Sequence, residues 1–386
     1  MNICYYHVMK WIWKEADWPN FQYDKQEFTE RNHEFRINSE RLMGRVESLP
    51  DEYQKNTIID LMLSEAIKTS AIEGELLDRE SVRSSLLALI SSESIPVSSD
   101  QKSAGAAALL IDVRRNWSEP LTHQLLGKWQ TMAVPDQRLN LIMRGHYRND
   151  HSAMQIVSGP YGHHKVHYEA PPSVQVVDEM DKLLNWYNQP RSLNNRNMIP
   201  EVVRAGIAHL WFEQIHPFDD GNGRVGRAIA DHALSQYLGY PTTACLSTAI
   251  EINKKAYYLE LEQAGRNGLN INKWLNYFLD IVNIAQDIAK QEVDFVLNKA
   301  RFYDLFSEQL NDRQTKMVAR VFSEGRKGFE GGISTHKYES ITKCSNRTAS
   351  RDLSDLLEKG IIISLNGGGR STRYELVKVK KSINFI

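Results

Sequence analysis

The fold is organised around one short loop, His216-Pro217-Phe218-Asp219-Asp220-Gly221-Asn222-Gly223-Arg224-Val225-Gly226-Arg227, with apolar segments of helical spacing on both sides. A glycine-rich loop that leads into a helix N-terminus favours anions, because unpaired backbone N–H groups and the helix dipole point at the ligand. Arginine adds a planar fork that fits phosphate oxygens. We therefore predict phosphate contacts from Gly221, Asn222, Gly223, Arg224 and Arg227.

Two further side chains of this loop have the chemistry of a metal–polyphosphate site. Asp220 offers a hard carboxylate oxygen, of the kind that Mg²⁺ takes beside substrate phosphates. His216 accepts protons near neutral pH and is the candidate general base. The residues alone thus predict a site for a metal-bound polyphosphate with a base beside it.

The loop resembles the signature of the Fic family, His-x-Phe-x-Asp/Glu-Gly-Asn-Gly-Arg-x-x-Arg, and every defined position is filled. The resemblance implies transfer of AMP from ATP, bound with Mg²⁺, to a Ser, Thr or Tyr hydroxyl of a target protein or of the chain itself. It implies His216 as the catalytic base. Four alternatives on the same scaffold stay open: the removal of AMP from a protein, the transfer of UMP, phosphorylation, and ATP sensing without transfer.

A second segment, Thr69-Ser70-Ala71-Ile72-Glu73-Gly74, ends a helix predicted over 57–75. Gly74 fits a left-handed helix end, whereas Glu73 lies in the last turn, where the helix dipole disfavours a negative charge. A cation elsewhere in the fold would relieve this. The segment resembles the Ser/Thr-x-x-x-Glu-Gly/Asn inhibitory motif of the Fic family. The resemblance implies that Thr69 and Glu73 are inhibitory and that Glu73 pairs with Arg227 in the space of the ATP γ-phosphate.

Two short β-like runs, 154–157 and 165–168, flank a Gly/Pro cluster and predict a β-hairpin. An exposed hairpin edge can take an incoming peptide by strand addition. The family resemblance implies a flap that holds the target segment through Met154, Gln155, Ile156 and Val157. It also places Tyr257 and Tyr258 near the adenine or ribose, although core packing is the alternative role for both.

The predicted fold class is mostly α, a Fic-type helical bundle with a β-hairpin flap, in three domains. Residues 1–95 are predicted as an N-terminal helical domain that carries the inhibitory helix. Its Trp-x-Trp…Asp-Trp-Pro-x-Phe pattern resembles the domain that precedes the catalytic domain in one group of Fic proteins. Residues 104–296 are the predicted catalytic domain.

Residues 300–386 are predicted as a C-terminal winged helix-turn-helix domain, and their basic side chains exceed the acidic ones by about six. Three helices precede two strands around a Gly/Arg turn, with the recognition helix over 345–358. The candidate phosphate contacts are Arg347, Arg351, Arg370 and Arg373. Asp352, Asp355 and Glu358 share that helix and would repel DNA if they faced it. A DNA-binding regulator with a subsidiary Fic domain is therefore the alternative function, and a purely structural module is the alternative for this domain.

Composition indicates the cellular compartment of the protein and the kinds of partner that it lacks. The net charge of −1 does not mark the whole molecule as a polyanion binder. Three widely separated cysteines form neither a disulfide framework nor a metal spacing, which suits a reducing compartment. No apolar run approaches membrane-spanning length, and no signal-peptide pattern begins the chain. We expect a cytoplasmic protein without a membrane partner, and a homodimer stays open.

Overall fold

The computed structural model describes residues 11–91, 100–135, 144–150, 154–158, 165–189, 199–327, 329–365 and 372–379. Over these residues the chain is mostly helical, which confirms the predicted fold class. The helices are α1 (Lys25–Glu47), α2 (Asp51–Ile72), α3 (Arg79–Ser91), α4 (Gln101–Arg115), α5 (His123–Ala133), α6 (Ser173–Tyr187), α7 (Glu201–Ile215), α8 (Asn222–Leu238), α9 (Leu246–Ile252), α10 (Lys254–Ala264), α11 (Asn272–Phe306), α12 (Asp312–Ser323), α13 (Thr335–Thr342) and α14 (Asn346–Glu358).

Four strands form two antiparallel pairs in the described part of the chain. They are β1 (Gln155–Ser158), β2 (Lys165–Glu169), β3 (Ile362–Ser364) and β4 (Tyr374–Leu376). The chain divides into two compact units, residues 1–44 with 58–289, and residues 45–57 with 290–386. Among the described helices, none combines the length and apolar character needed to cross a bilayer.

The core of the first unit surrounds α7 and α8, which pack against each other on either side of the loop at 216–221. Nearly every residue of α7 is buried, as expected of a helix that is apolar on all faces. Phe212 and Phe218 are completely buried, and their rings lie 6.2 Å apart. Burying each such side chain stabilises the fold by roughly 1.5–3 kcal/mol. The loop is therefore held by a packed core on both sides.

Helix α2 is longer at its start than the sequence predicts. It begins at Asp51 rather than at residue 57, because Pro50 precedes it and Asp51 and Glu52 place negative charge in its first turn. It ends at Ile72, three residues before the predicted end. Gly74 has φ +82°, a left-handed conformation that glycine adopts without strain, and Glu73 thus lies just beyond the helix.

In the C-terminal part of the second unit, α12, α13 and α14 precede β3 and β4, which is the order that the sequence predicts. Ser345 caps α14 by accepting a hydrogen bond from the backbone N–H of Thr348. The core of this unit contains Phe302, Tyr338 and Leu353. The Gly/Arg turn of the predicted wing, with Arg370, lies outside the described residues. The winged-helix assignment therefore stays a prediction.

Candidate active site

His216 ends α7 in a left-handed backbone conformation, with φ +50° and ψ +60°. Its N–H still donates to the carbonyl of Phe212 at 2.9 Å, and Pro217 follows, which cannot continue the helix. A non-glycine residue with positive φ is uncommon, and such strain clusters at functional sites. The turn directs the chain out of α7 and presents the imidazole at the start of the loop.

The loop is closed by Asn222, the first residue of α8. Its side-chain Nδ2 donates to the carbonyl of Phe218 at 2.7 Å, and its Oδ1 accepts the N–H of Phe218 at 2.9 Å. The side chain is only 3% exposed. In this structure the amide of Asn222 is thus committed to the loop itself, so that a phosphate would meet its backbone N–H rather than its side chain.

Glycine is required where the loop meets its neighbours. Gly221 has φ +86°, and a Cβ on it would lie 2.8 Å from Cγ2 of Val134. A Cβ on Gly223 would lie 2.3 Å from Oε1 of Glu73. Because residue 223 has no side chain, an oxygen atom can approach the first turn of α8, and in this structure that oxygen belongs to Glu73.

Arg227 lies against the end of α2, as the family resemblance implies. Its Nη2 donates to Oε1 of Glu73 at 2.8 Å and to the carbonyl of Thr69 at 3.0 Å, and its Nε donates to Oγ1 of Thr69 at 2.9 Å. Arg227 is 3% exposed. Burial alone would lower the pKa of Arg227, but the charge and hydrogen bond of Glu73, together with the nearby Tyr257 and Glu213, hold that pKa above its usual value.

Arg224 has an acidic partner that the sequence does not reveal. Its Nη1 donates to Oε2 of Glu75 at 2.8 Å, and Oε1 of the same carboxylate accepts from Nζ of Lys102 on α4 at 2.8 Å. The side chains of Arg224 and Glu75 are 7% and 25% exposed. Both loop arginines are thus paired with carboxylates from the short segment that follows α2. We call residues 73–75 the plug.

Three buried nitrogens of the site have no hydrogen-bond partner among the described residues. They are Nδ1 of His216, Nε of Arg224 and Nη1 of Arg227. Buried polar atoms are almost always satisfied, so each exception requires an explanation. Three such atoms around one glycine-rich turn indicate a ligand rich in oxygen atoms.

The imidazole of His216 is kept uncharged. Burial lowers its pKa to about 4, and the positive charge of Arg148 acts in the same direction. Glu213, one turn earlier on α7, has the opposite shift, because burial raises the pKa of its carboxyl group to about 8. At neutral pH His216 is therefore able to accept a proton.

Asp220 lies at the mouth of the loop with its side chain 50% exposed. Its Oδ1 accepts the N–H of Gly221 at 2.6 Å and lies 3.9 Å from Nη2 of Arg224. Groups of three or more His, Cys, Asp or Glu side chains that could hold a metal are absent from the described residues. One exposed carboxylate beside a glycine-rich turn still fits Mg²⁺, which is commonly held by one or two carboxylates and substrate phosphates.

The two tyrosines have different surroundings. Tyr257 is 2% exposed, and its hydroxyl pairs with Nε2 of His209 at 2.8 Å, within the core beside Trp274. Tyr258 is 43% exposed, and its hydroxyl donates to the carbonyl of Ile72 at 3.1 Å. Only Tyr258 is thus accessible, close to the plug. Contact of either tyrosine with an adenine or ribose stays a prediction.

The predicted hairpin is present as β1 and β2, with Ile156 opposite Tyr168 and a bulge after Ile156. Ile156 and Val157 are 41% and 48% exposed, Gln155 is exposed, and Met154 is half-buried. The base of the hairpin is fixed, because the hydroxyl of Tyr168 donates to the carbonyl of Gln214 at 2.5 Å.

The same strand is held from the N-terminal segment. The indole of Trp13 donates to the carbonyl of Glu169 at 2.7 Å, and the ring of Trp11 packs edge-on against Tyr168. Trp11 and Trp13 therefore pack against the flap, whereas Trp18 and Phe21 pack against Trp211 on α7.

Two residues that sequence reasoning missed hold the loop from α5 and from the segment before β1. Gln130 donates to the carbonyl of Asp220 at 3.2 Å and accepts the N–H of Gly145 at 2.6 Å. Arg148 donates to the carbonyls of Ile215 and His216 at 3.2 and 2.8 Å. The only sequence signal was the placement of Arg148 in the polar segment that opens before the flap.

The arrangement defines a class of protein: a helical bundle in which a glycine-rich turn leads into a buried helix, with a neutral histidine before the turn and two arginines paired with glutamates. Residues 120–234 match the model of the Fic/DOC family. Residues 11–89 match a domain of unknown function, DUF4172. Residues 120–234, which contain the loop with His216, thus belong to the Fic/DOC family.

The curated relatives match over short stretches of the chain. A probable protein adenylyltransferase of Aquifex aeolicus is 39% identical over 67 residues, which are 17% of this chain and 19% of that protein. The protein adenylyltransferase fic-1 of Caenorhabditis elegans is 29% identical over 94 residues, 24% of this chain and 17% of that protein. A uridine 5'-monophosphate transferase of Xanthomonas campestris is 32% identical over 68 residues, 17% of this chain and 13% of that protein. The chain thus spans less than a fifth of the length of each.

Among solved structures, a Fic family protein from Desulfovibrio desulfuricans is similar over 92% of this chain and 98% of that chain, with 20% sequence identity and a TM-score of 0.48.

Proposed function

We propose that the protein transfers AMP from ATP to a hydroxyl group of a protein, either a separate target or the chain itself. The observation that carries this proposal is the set of buried, unpaired nitrogens on His216, Arg224 and Arg227 around the glycine-rich turn. A polyphosphate would supply the missing acceptors, and the neutral imidazole would accept a proton. The names of the matched relatives support nucleotidyl transfer as the reaction class.

In this proposal the α8 N-terminus and Gly223 hold the phosphates, and the two arginines neutralise the β- and γ-phosphates. The hydroxyl oxygen of the target attacks the α-phosphorus and forms the new P–O bond. The bond from the α-phosphorus to the β-phosphate oxygen breaks, and pyrophosphate leaves. The hydroxyl proton passes to His216, a step of general-base catalysis that is typically worth about 10²–10⁴-fold in rate.

Mg²⁺ would bind to Asp220 together with the phosphates of ATP, and it would supply positive charge that stabilises the departing pyrophosphate. The exposed edge of β1 would align the target segment by strand addition through its backbone N–H and C=O groups. Tyr258 is the candidate for contact with the base or ribose, because it is the accessible tyrosine of the pair.

The plug would inhibit this reaction by competition. Glu73 occupies the space in front of Gly223 that the γ-phosphate needs, and it takes the Nη2 donor of Arg227. Glu75 takes Arg224 in the same way, so we propose that both carboxylates leave the arginines when ATP binds. A glutamate in that position could also assist the reverse removal of AMP, and the transfer assay below therefore includes pre-modified protein.

The test is incubation of the full chain with Mg²⁺ and α-labelled ATP, and in parallel with α-labelled UTP and γ-labelled ATP, both as the wild type and as Glu73→Gly, because the plug would inhibit the wild type. Covalent label from α-labelled ATP alone supports AMP transfer. Label from UTP assigns UMP transfer, and label from γ-labelled ATP assigns phosphorylation; either result excludes the proposal. If ATP binds but no covalent label appears, the protein is a nucleotide sensor and the proposal is excluded. A further sample of pre-modified protein, incubated without ATP, shows whether AMP is removed.

A second candidate function, binding of duplex DNA by the second unit, is favoured by the orientation of α14. Asp352 is 3% exposed and accepts from Nε of Arg313 at 2.7 Å. Asp355 accepts from Nε2 of Gln314 at 2.7 Å. Two of the three carboxylates that would repel DNA are thus engaged by α12, and only Glu358 stays exposed without such a contact to α12 among the described residues.

The outer face of α14 carries Arg347, Ser350, Arg351 and Ser354, all exposed. A gel shift on random duplex at two salt concentrations tests the candidate function. The double variant Arg347→Ala/Arg351→Ala should lose affinity and about two units of salt slope. The control Lys316→Ala/Arg320→Ala removes the same charge from α12. Equal loss in both double variants, or no shift at all, would exclude α14 as a DNA-reading helix.

A further inference from the structure

Arg148 contacts three consecutive residues at the turn that carries His216. Its Nε donates to the carbonyl of His216 at 2.8 Å, and its Nη2 donates to the carbonyl of Ile215 at 3.2 Å. Its backbone N–H donates to the carbonyl of Pro217 at 2.9 Å. The residue is 4% exposed. A single buried residue thus satisfies the carbonyls at the end of α7 and in the turn that follows.

These carbonyls need an external donor, because the last turn of any helix leaves them without intrahelical partners. The left-handed turn at His216 would be costly if they were also buried and unpaired. Arginine suits the task, since its planar fork reaches several acceptors at fixed angles and remains charged when buried. Lysine would offer a single charged centre in place of that fork.

Arg148 also reaches the flap. Its Nη2 donates to the carbonyl of Pro171 at 2.6 Å, two residues after β2 ends. The base of the flap and the His216 turn are therefore held by the same guanidinium group.

We propose that Arg148 is the positioning residue for His216, fixing the imidazole relative to the flap on which a target hydroxyl would be presented. The proposal rests on the proposed function, because it assigns Arg148 a part in that reaction. Arg148 does not touch the reacting atoms; it acts through the backbone of residues 215–217 and through its charge.

The charge of Arg148 has a separate effect on His216. The groups that act on the imidazole are Arg148 before β1, Glu213 on α7 and Glu73 after α2. Asp219 faces Arg148 from the loop. Burial and Arg148 lower the pKa of His216, whereas the backbone of Glu213 and the charge of Glu73 raise it. Removing the positive charge should therefore raise the pKa of His216, and replacing the fork by another cation should leave it nearly unchanged.

Two variants separate the two effects in the full chain. Arg148→Lys keeps the charge and loses the fork, so kcat should fall by about 10²-fold, as for a misplaced catalytic group, while KM for ATP stays within about twofold. Arg148→Gln should lower kcat similarly and also move the acid limb of the kcat profile to higher pH. Arg144→Gln is the matched control, since Arg144 donates to the carbonyl of Thr131 at 3.0 Å, away from His216. It should match the wild type.

Titration of the His216 imidazole by NMR gives a readout that needs no transfer activity. The pKa should rise in Arg148→Gln and stay near the wild-type value in Arg148→Lys, with both proteins folded by circular dichroism. If no variant or wild type transfers AMP but this pattern holds, the proposed function fails and the positioning of His216 stands. A kcat of wild-type size in Arg148→Lys, or an unchanged His216 pKa in Arg148→Gln, would overturn the proposal that Arg148 positions His216. If Arg148→Gln does not fold, the kcat of Arg148→Lys decides.

Discussion

Removal of the Glu73 carboxylate should lower the thermal stability of the protein without ligand and raise its affinity for ATP. Nη2 of Arg227 donates to Glu73 at 2.8 Å, and the two side chains are 3% and 28% exposed. A hydrogen bond between charged groups contributes about 1.5–3 kcal/mol, and ATP has to replace this one to reach Arg227. Since about 1.4 kcal/mol is tenfold in an equilibrium constant, Glu73→Gly should bind ATP about 10–100-fold more tightly.

Glu73→Gln separates charge from space. Glutamine still fills the space in front of Gly223, but it carries no charge to repel a phosphate or to pair with Arg227. Its gain in ATP affinity should therefore lie between those of the wild type and Glu73→Gly. Without ligand, Glu73→Gly should have a lower Tm than the wild type, because buried Arg227 keeps only its bonds to Thr69. Glu73→Gln should have a smaller loss of Tm, because its amide oxygen can still accept from Arg227.

The assay is calorimetric titration of ATP with Mg²⁺, in a His216→Ala background so that no ATP is consumed, together with thermal unfolding. Glu80→Gln on α3 is the control, because Glu80 is exposed and the carboxylates that pair with Arg224 and Arg227 are those of Glu75 and Glu73. The order of Tm should reverse at saturating ATP, since a ligand stabilises by its affinity for the folded state. A Glu73→Gly protein with a lowered Tm and unchanged ATP affinity would show that Glu73 is structural and not a competitor.

Three further outcomes are expected. His216→Ala should abolish AMP transfer while Tm and ATP affinity stay near the wild type; full transfer in this variant would exclude His216 as the base. Asn222→Ala should lower the free energy of unfolding by about 1–3 kcal/mol, because the buried N–H and C=O of Phe218 lose their partner; an unchanged denaturation midpoint would contradict this. Burial raises the pKa of Glu213 to about 8, so the folded state binds a proton that the unfolded state releases between its ordinary pKa and pH 8, and stability should fall as pH rises through that window. In Glu213→Gln this decline should be smaller, as measured by Tm at several pH values.

The loop and the plug were accessible from sequence for different reasons. Residues 216–227 carry their chemistry in consecutive positions, so that spacing alone predicts a phosphate-binding turn with a base. The pairing of Glu73 with Arg227 spans 154 residues, and only the family resemblance connected the two. Glu75 and Arg148 could not be found in this way. Their partners lie 149 and 68 residues away, and neither residue type is unusual in its local context.

The sequence pattern does not show which side chains of a helix are accessible, and their burial in the structure does. Tyr257 and Tyr258 are neighbours in sequence and equal in chemistry, but they point to different sides of α10, and only Tyr258 is accessible. Asp352 and Glu358 share one helix, yet Asp352 is buried against Arg313 and Glu358 is exposed. Which face of a helix meets its neighbours depends on packing over the whole unit. Composition and spacing along one segment do not contain that information.

The absence of a side chain at Gly223 limits the positions at which a substitution could relieve the proposed inhibition. The carboxylate of Glu73 and an incoming phosphate would use the same opening at the start of α8, so a larger residue at 223 would shut out both. The arginines are shared in the same manner. Substitutions in the loop or at the start of α8 would therefore weaken both the inhibitory contact and the binding of ATP. Variants that relieve the inhibition and keep ATP binding should map to the end of α2, at residues 69–75.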